Sequence, residues 1–155
     1  MKKKLYFCTR KQYNKASTMK HPGNVSHFAA IRNRELYKAY RKAIANAHFI
    51  NLKEVCRSVA DTPCSRFWVS EERAFYVISE IYKGRYVLDG MNNLKREMYL
   101  EIFHRVDAMR QQSPEASLYD LVFDVVNSQA PKFYMTPESI VIIIWRIKNG
   151  HYKTT

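Results

Sequence analysis

The stretch "SRFWVSEERAFYVISEIYKG" at residues 65–84 has a counterpart in "PKFYMTPESIVIIIWRIKNG" at residues 131–150. Aligning Phe67 with Phe133 places the two segments in register from end to end. Both segments join an aromatic pair to a partly apolar run that ends in glycine. This similarity decides the fold prediction, because a sequence that recurs at a fixed spacing indicates a duplicated structural unit.

A second match extends the repeat towards the N-terminus. "RELY" at 34–37 corresponds to "REMY" at 96–99, with a slightly shorter spacing between the copies than at the aromatic pairs. The extra residues of the second copy fall near "QQSPEAS", where Ser and Pro are typical of a loop. Each copy is therefore predicted to be a unit of about 50 to 55 residues.

The first two segments of each unit have helical spacing. The first helix is indicated by Leu36, Tyr40, Ile44 and Ala47, and in the second copy by Met98, Ile102, Val106 and Met109. The second helix is predicted over 51–61 and, in the second copy, over 117–127. In both copies one face of each segment is apolar, which favours amphipathic helices around a core.

The third helix of each unit follows a short aromatic turn. Ser70 and Thr136 are good N-caps, and Pro137 is tolerated at the first helical position. Gly84 is expected to end the helix of the first copy. The β-branched run "IVIIIW" at 140–145 is accordingly predicted to be helical, because its partner "AFYVIS" lies inside a capped and helically spaced segment.

The predicted fold is all-α, with a basic N-terminal arm and two tandem three-helix repeats that resemble helix-turn-helix units and pack together. Phe67 and Phe133 are expected to fill the core of their own unit, with Trp68 and Tyr134 half-exposed. The predicted segments are a flexible arm at 1–25, a repeat at 26–84, a linker at 85–95, a repeat at 96–150 and a tail at 151–155.

The positive charge is concentrated at the N-terminus. The formal net charge is +12, and residues 1–34 contain nine Lys or Arg but no Asp or Glu. Tyr6, Phe7 and Tyr13 lie among these cations. Because cations displace counterions from a phosphate backbone and aromatic rings stack on bases, the arm is predicted to bind nucleic acid. The alternative is a solvated basic tail that aids solubility or docks an acidic protein.

Candidate nucleic-acid-binding residues come from the arm, the turns and the third helix. The third helix of a helix-turn-helix unit enters the major groove, although Glu71 and Glu72 at its start would repel phosphate. The predicted set is Lys2, Lys3, Lys4, Arg10, Lys11 and Lys15 in the arm, Arg66 and Lys132 in the turns, and Arg73 and Tyr76 on the third helix.

Catalytic, metal and cofactor sites are not indicated. The five histidines are scattered, and the chain contains no nucleophile elbow, Walker loop, zinc-protease motif or dinucleotide-binding motif. The three cysteines lack paired spacing, which favours reduced thiols in the cytoplasm. The longest apolar run is far too short to cross a bilayer, so no membrane partner is predicted. We therefore predict a protein that is not an enzyme.

The motifs "SRFWVSEERA", "NLKREMYLEIFHRV" and "LVFDVVNSQAPKFYMTPES" resemble a family of small proteins from Bacteroidetes-type bacteria and their mobile elements. The resemblance covers roughly residues 34–150, and the N-terminal arm lies outside it. It implies no activity, cofactor or catalytic residue.

The leading functional prediction is a small regulatory or architectural protein that binds nucleic acid, with DNA favoured over RNA. The alternative is a protein–protein interaction module or a mobile-element accessory factor. In that case the apolar face of helix 140–148 would form a homodimer interface or bind a protein partner.

Overall fold

The computed structural model describes the backbone of residues 22–152 and the side chains of residues 27–152. This part of the chain forms helices and no β-strand, which confirms the all-α prediction. The helices are α1 (Pro22–Ala45), α2 (Leu52–Ala60), α3 (Glu71–Tyr82), α4 (Asn93–Gln112), α5 (Leu118–Val126) and α6 (Pro137–Lys148).

The helix starts follow the predicted capping residues. The Ser70 side chain accepts a hydrogen bond from the Arg73 amide, and Thr136 accepts one from the Ser139 amide. Pro137 occupies the start of α6, where its missing N–H costs no intrahelical hydrogen bond. The run "IVIIIW" lies within α6, so the helical prediction for it is confirmed.

The ends of the predicted segments differ from the helix boundaries. α1 begins at Pro22, so the boundary predicted between an arm at 1–25 and a repeat at 26–84 falls inside a helix. α4 begins at Asn93, within the predicted linker at 85–95. The rest of the predicted arm and the last three residues of the predicted tail lie outside the described residues.

The helices are paired across the two predicted units. α2 packs mainly against α6 and also against α1, while α3 packs against α5 and α4. In the described part of the chain α2 and α3 do not contact each other, although a helix-turn-helix motif requires that contact. The third helix of each predicted unit thus covers the first two helices of the other. The prediction that each repeat closes its own three-helix core is not confirmed.

The two connections before the third helices cross side by side. Cys64 and Ala130 form an antiparallel β-bridge, with each amide 3.0 Å from the other residue's carbonyl oxygen. The flanking backbone hydrogen bonds run from the Phe67 amide to the Val126 carbonyl (3.0 Å) and from the Phe133 amide to the Ala60 carbonyl (3.1 Å). The rings of Phe67 and Phe133 are buried, as predicted, while Trp68 and Tyr134 are half-buried.

Candidate nucleic-acid interface

α1 has one buried and one exposed face. Its most buried side chains are Asn33, Leu36 and Tyr40. Arg34, Lys38 and Arg41 are exposed on the opposite side at the spacing of a single helical stripe, and Lys42 is exposed at its edge. These four cations are termed the basic face of α1. Since a helix rises 1.5 Å per residue, the basic face extends about 12 Å along the helix axis.

Almost all of the net charge lies in the same part of the sequence. Residues 1–50 contain twelve Lys or Arg and a single acidic residue, so they carry eleven of the twelve net positive charges. That acidic residue, Glu35, accepts hydrogen bonds from the Ser65 amide (2.6 Å) and the Ser65 hydroxyl (2.7 Å). Glu35 therefore holds the turn before α3 against α1.

α4 corresponds to α1 in the repeat but differs in charge. In the register that aligns "RELY" with "REMY", Lys38, Arg41 and Lys42 correspond to Leu100, Phe103 and His104. α4 also pairs its charges internally, as in the 2.7 Å contact between Glu101 and Arg105. The positive stripe is therefore particular to α1 and is not a general property of the repeated pattern.

Arg66, a predicted nucleic-acid contact, is used inside the fold. Its guanidinium pairs with Glu71 at 3.0 Å and donates hydrogen bonds to the carbonyl oxygens of Phe67 and Val69. It also lies over the Phe28 ring, 4.5 Å from the centroid. Only 16% of its side chain is exposed, so the structure assigns its donors to the turn before α3.

Lys132 is the counterpart of Arg66 and is used in a similar way. Its ammonium group lies 2.6 Å from the Glu97 carboxylate and 5.4 Å from the centre of the Tyr134 ring. These contacts tie the turn before α6 to α4. Neither turn cation therefore belongs to the basic face of α1.

Arg73 and Tyr76 are exposed on α3, as predicted, but they lie on a different element. The Arg73 guanidinium is 5.3 Å from the centre of the Tyr76 ring, which is 49% exposed. α3 packs against α4 and α5 and has no contact with α1 among the described helices. The six candidate cations of the arm, Lys2, Lys3, Lys4, Arg10, Lys11 and Lys15, lie outside the described residues.

None of the four cations of the basic face, Arg34, Lys38, Arg41 and Lys42, belongs to the predicted set. The predicted set draws on the excess charge of residues 1–34, whereas Lys38, Arg41 and Lys42 follow that segment in the same helix. A charge count extended to residue 50, combined with the 3.6-residue period of the first helix, would have identified these cations.

The apolar surface of α6 is divided between the core and the solvent. Ile140, Ile143 and Ile144 of α6 belong to the buried core. Ile142 and Trp145 remain exposed, at 51% and 57%. Trp145 stacks on His151 with ring centroids 5.5 Å apart, and both line a shallow depression together with Arg146 and Tyr152.

The buried thiols are poor candidates for chemistry. Burial raises the pKa of Cys56, and burial together with the nearby Glu35 carboxylate raises the pKa of Cys64 to about 12. Both therefore keep their protons at neutral pH, whereas a nucleophile or metal ligand must be a thiolate. Within residues 27–152 no group of His, Cys, Asp or Glu side chains is arranged to hold a metal ion. None of the described helices has the length and apolar character needed to cross a membrane.

Comparison with known proteins finds no matching family model, no significantly similar curated protein and no significantly similar solved structure.

Proposed function

We propose that the protein binds duplex DNA through the basic face of α1, and that the basic arm extends this contact beyond the helix. The observation that carries the proposal is the placement of charge. Residues 1–50 hold eleven of the twelve net positive charges, and four of the cations are exposed along one side of α1. A row of cations against a phosphate backbone releases condensed counterions, which drives binding.

α1 can present this row rigidly because its other face is packed. Leu36 and Tyr40 are buried, and α1 contacts both α2 and α6. Tyr40 also accepts a 2.9 Å hydrogen bond from Lys148 of α6. Contacts of cations to phosphates position a protein on DNA without reading the base sequence, which fits an architectural or regulatory role.

We infer that the chain is a duplicated three-helix unit whose third helices have exchanged partners. The backbone hydrogen bonds from Phe67 to Val126 and from Phe133 to Ala60 support this, because they are equivalent bonds in the repeat. In the register that aligns Phe67 with Phe133, Ala60 corresponds to Val126. Because Cys56 and Cys64 are free and buried, we also propose a reducing, cytoplasmic location.

A second candidate function is the binding of a protein partner or a second copy through α6. It is favoured by the exposure of Ile142 and Trp145, which are large apolar side chains on one helix face. We do not propose that this surface of α6 binds nucleic acid, so partner binding and DNA binding can be tested separately.

The salt dependence of DNA binding tests the leading proposal. We would compare the wild-type chain with Lys38→Gln/Arg41→Gln/Lys42→Gln, using a mobility shift on duplex DNA at about 50 mM and about 200 mM salt. Each lost phosphate contact removes about 0.9 from the slope of log affinity against log salt, so a loss of up to about 2.7 is expected.

The matched control removes the same charge elsewhere. Arg57→Gln/Lys95→Gln/Arg110→Gln takes exposed cations from α2 and α4 and should leave the slope nearly unchanged. Substituting the six arm cations by Gln should also lower the slope, whereas Arg73→Ala should act little on it. A wild-type chain without salt-sensitive binding to DNA would overturn the proposal and favour the partner-binding function.

A further inference from the structure

The connection between α1 and α2 carries the most exposed large apolar side chain among the described residues. Phe49 is 93% exposed, and the adjacent Ile50 is 66% exposed. In contrast, Phe67 and Phe133 are buried in the core. Phe49 and Ile50 are termed the apolar tip.

The apolar tip is held at both ends. The Ala47 amide donates to the Ile44 carbonyl oxygen at 3.1 Å, which closes the end of α1. The Asn51 side chain caps α2 by accepting hydrogen bonds from the Lys53 amide at 3.1 Å and the Glu54 amide at 3.5 Å. The tip is therefore presented by two anchored helix ends and is not part of a long loop.

The fold does not need an apolar residue at this place. The residue that corresponds to Phe49 is polar in both registers of the repeat: it is Gln111 in the register that aligns "RELY" with "REMY" and Glu115 in the register that aligns Phe67 with Phe133. Glu115 is exposed in the connection between α4 and α5, which joins the equivalent helices. A polar residue therefore occupies the equivalent connection. The packing of the chain does not explain why a phenylalanine is exposed at this position.

The charges around the apolar tip indicate its ligand. In the sequence Arg41 and Lys42 precede it and Lys53 follows it, all exposed, and the one acidic residue between positions 36 and 60 is the exposed Glu54 in the first turn of α2. The surroundings therefore suit a polyanion that has an apolar interior. A DNA duplex has this chemistry, with phosphates outside and stacked bases inside.

An anionic membrane also has a negative surface and an apolar interior, but the packing of α1 disfavours a membrane as the ligand. A helix that lies in a membrane surface buries its own apolar face in the lipid, whereas the apolar face of α1 is covered by α2 and α6. A single strand is also disfavoured, because its bases stack on successive aromatic rings and the basic face of α1 has none.

We propose that Phe49, supported by Ile50, inserts between base pairs of duplex DNA and kinks it, while the basic face of α1 holds the adjacent phosphates. The inference rests on the proposed function and makes it more specific. Apolar side chains that enter from the minor groove unstack a base step and bend the duplex. Pyrimidine–purine steps deform most easily, so they are the expected sites of insertion.

The test measures bending and affinity separately on the full-length protein. The probe is a duplex of about 30 bp with a fluorescence donor and acceptor at its ends, and the variant is Phe49→Ser/Ile50→Ser. Wild type should raise the energy transfer by bending the duplex. The variant should bind about tenfold more weakly, which is the scale of one lost base–aromatic stack, with an unchanged salt slope and no bending.

Tyr86→Ser is the matched control, since Tyr86 is an aromatic residue that is 86% exposed in the connection between α3 and α4. It should bind and bend like wild type, and circular dichroism should show all three proteins folded. Salt-sensitive binding without bending, equal for wild type and the tip variant, overturns this inference and leaves the proposed function standing. Absence of any DNA binding overturns both. The inference is also overturned if the protein binds phosphatidylserine vesicles through Phe49 while the substitution leaves DNA binding unchanged. The ligand of the apolar tip would then be a membrane surface.

Discussion

Phe67 lies in the turn before α3, where the chain passes from the group formed by α1, α2 and α6 to the group formed by α3, α4 and α5. Its ring is fully buried and stacks against Tyr134 with centroids 6.0 Å apart, and the Arg105 guanidinium is 5.1 Å from the ring centre. Its amide donates to the Val126 carbonyl oxygen. One residue thus joins the turn before α3 to the turn before α6, to α4 and to the end of α5.

Replacing this ring should lower stability by the cost of a large internal cavity. We expect Phe67→Ala to reduce the free energy of unfolding by about 3 to 5 kcal/mol, as measured by urea denaturation, and Phe133→Ala to act similarly. Phe123, which is 46% exposed on α5, provides the control, and Phe123→Ala should cost much less. A loss below about 1 kcal/mol for both core substitutions would contradict the assigned packing.

At the scale of the elements, Glu71 connects the start of α3 to the preceding turn and to the end of α5. Its carboxylate accepts hydrogen bonds from Arg66 in the preceding turn (3.0 Å) and from Asn127 at the end of α5 (3.2 Å). Burial alone would raise the pKa of Glu71, but hydrogen bonds from its own amide, Asn127 and Arg66 outweigh this and hold the pKa below its ordinary value. The carboxylate thus links α3 to the helix it packs against.

A lowered pKa in the folded state makes this link sensitive to acid. The stabilisation is complete above the unfolded-state pKa of about 4.3 and is lost as the pH falls through the lower folded-state pKa. Glu71→Gln should therefore flatten the decline in the free energy of unfolding between about pH 5 and pH 3. Glu72→Gln removes a neighbouring exposed carboxylate and serves as the control. Equal acid sensitivity of wild type and Glu71→Gln would exclude this role.

At the scale of the whole molecule, the third helix of each half packs against the other half, so neither half is complete alone. α3 covers α4 and α5, and α6 covers α2 and α1. The two helix groups are therefore connected through their cores as well as through the chain. The buried residues form a single cluster that includes both crossing turns.

Fragments 1–90 and 91–155 should consequently fold only together. Each fragment alone leaves the apolar stripe of its third helix uncovered, which should leave it largely unfolded. Far-UV circular dichroism of the equimolar mixture should show more helix than the sum of the separate fragments. Two fragments that are each fully helical and monomeric on their own, with no change on mixing, would contradict the packing of each third helix against the other half.

The helical elements and their order can be predicted from the sequence, because the signals for them are local. Ser70 and Thr136 mark helix starts through hydrogen bonds that span three residues, and the 3.6-residue spacing identifies each buried stripe. The comparison between copies also decided "IVIIIW" in favour of a helix, against the strand preference of its β-branched residues.

Which helices those stripes cover becomes known from the packing of the folded chain. The stripes of α3 and α6 have the same period, and an apolar stripe does not specify its partner. The same limit applies to the site: Arg66 and Lys132 look like free cations in the sequence until the fold pairs them with Glu71 and Glu97. The exposure of Lys38 likewise depends on which face of α1 the other helices bury. Partner choice and exposure are non-local properties, because they arise from contacts between residues far apart in the chain.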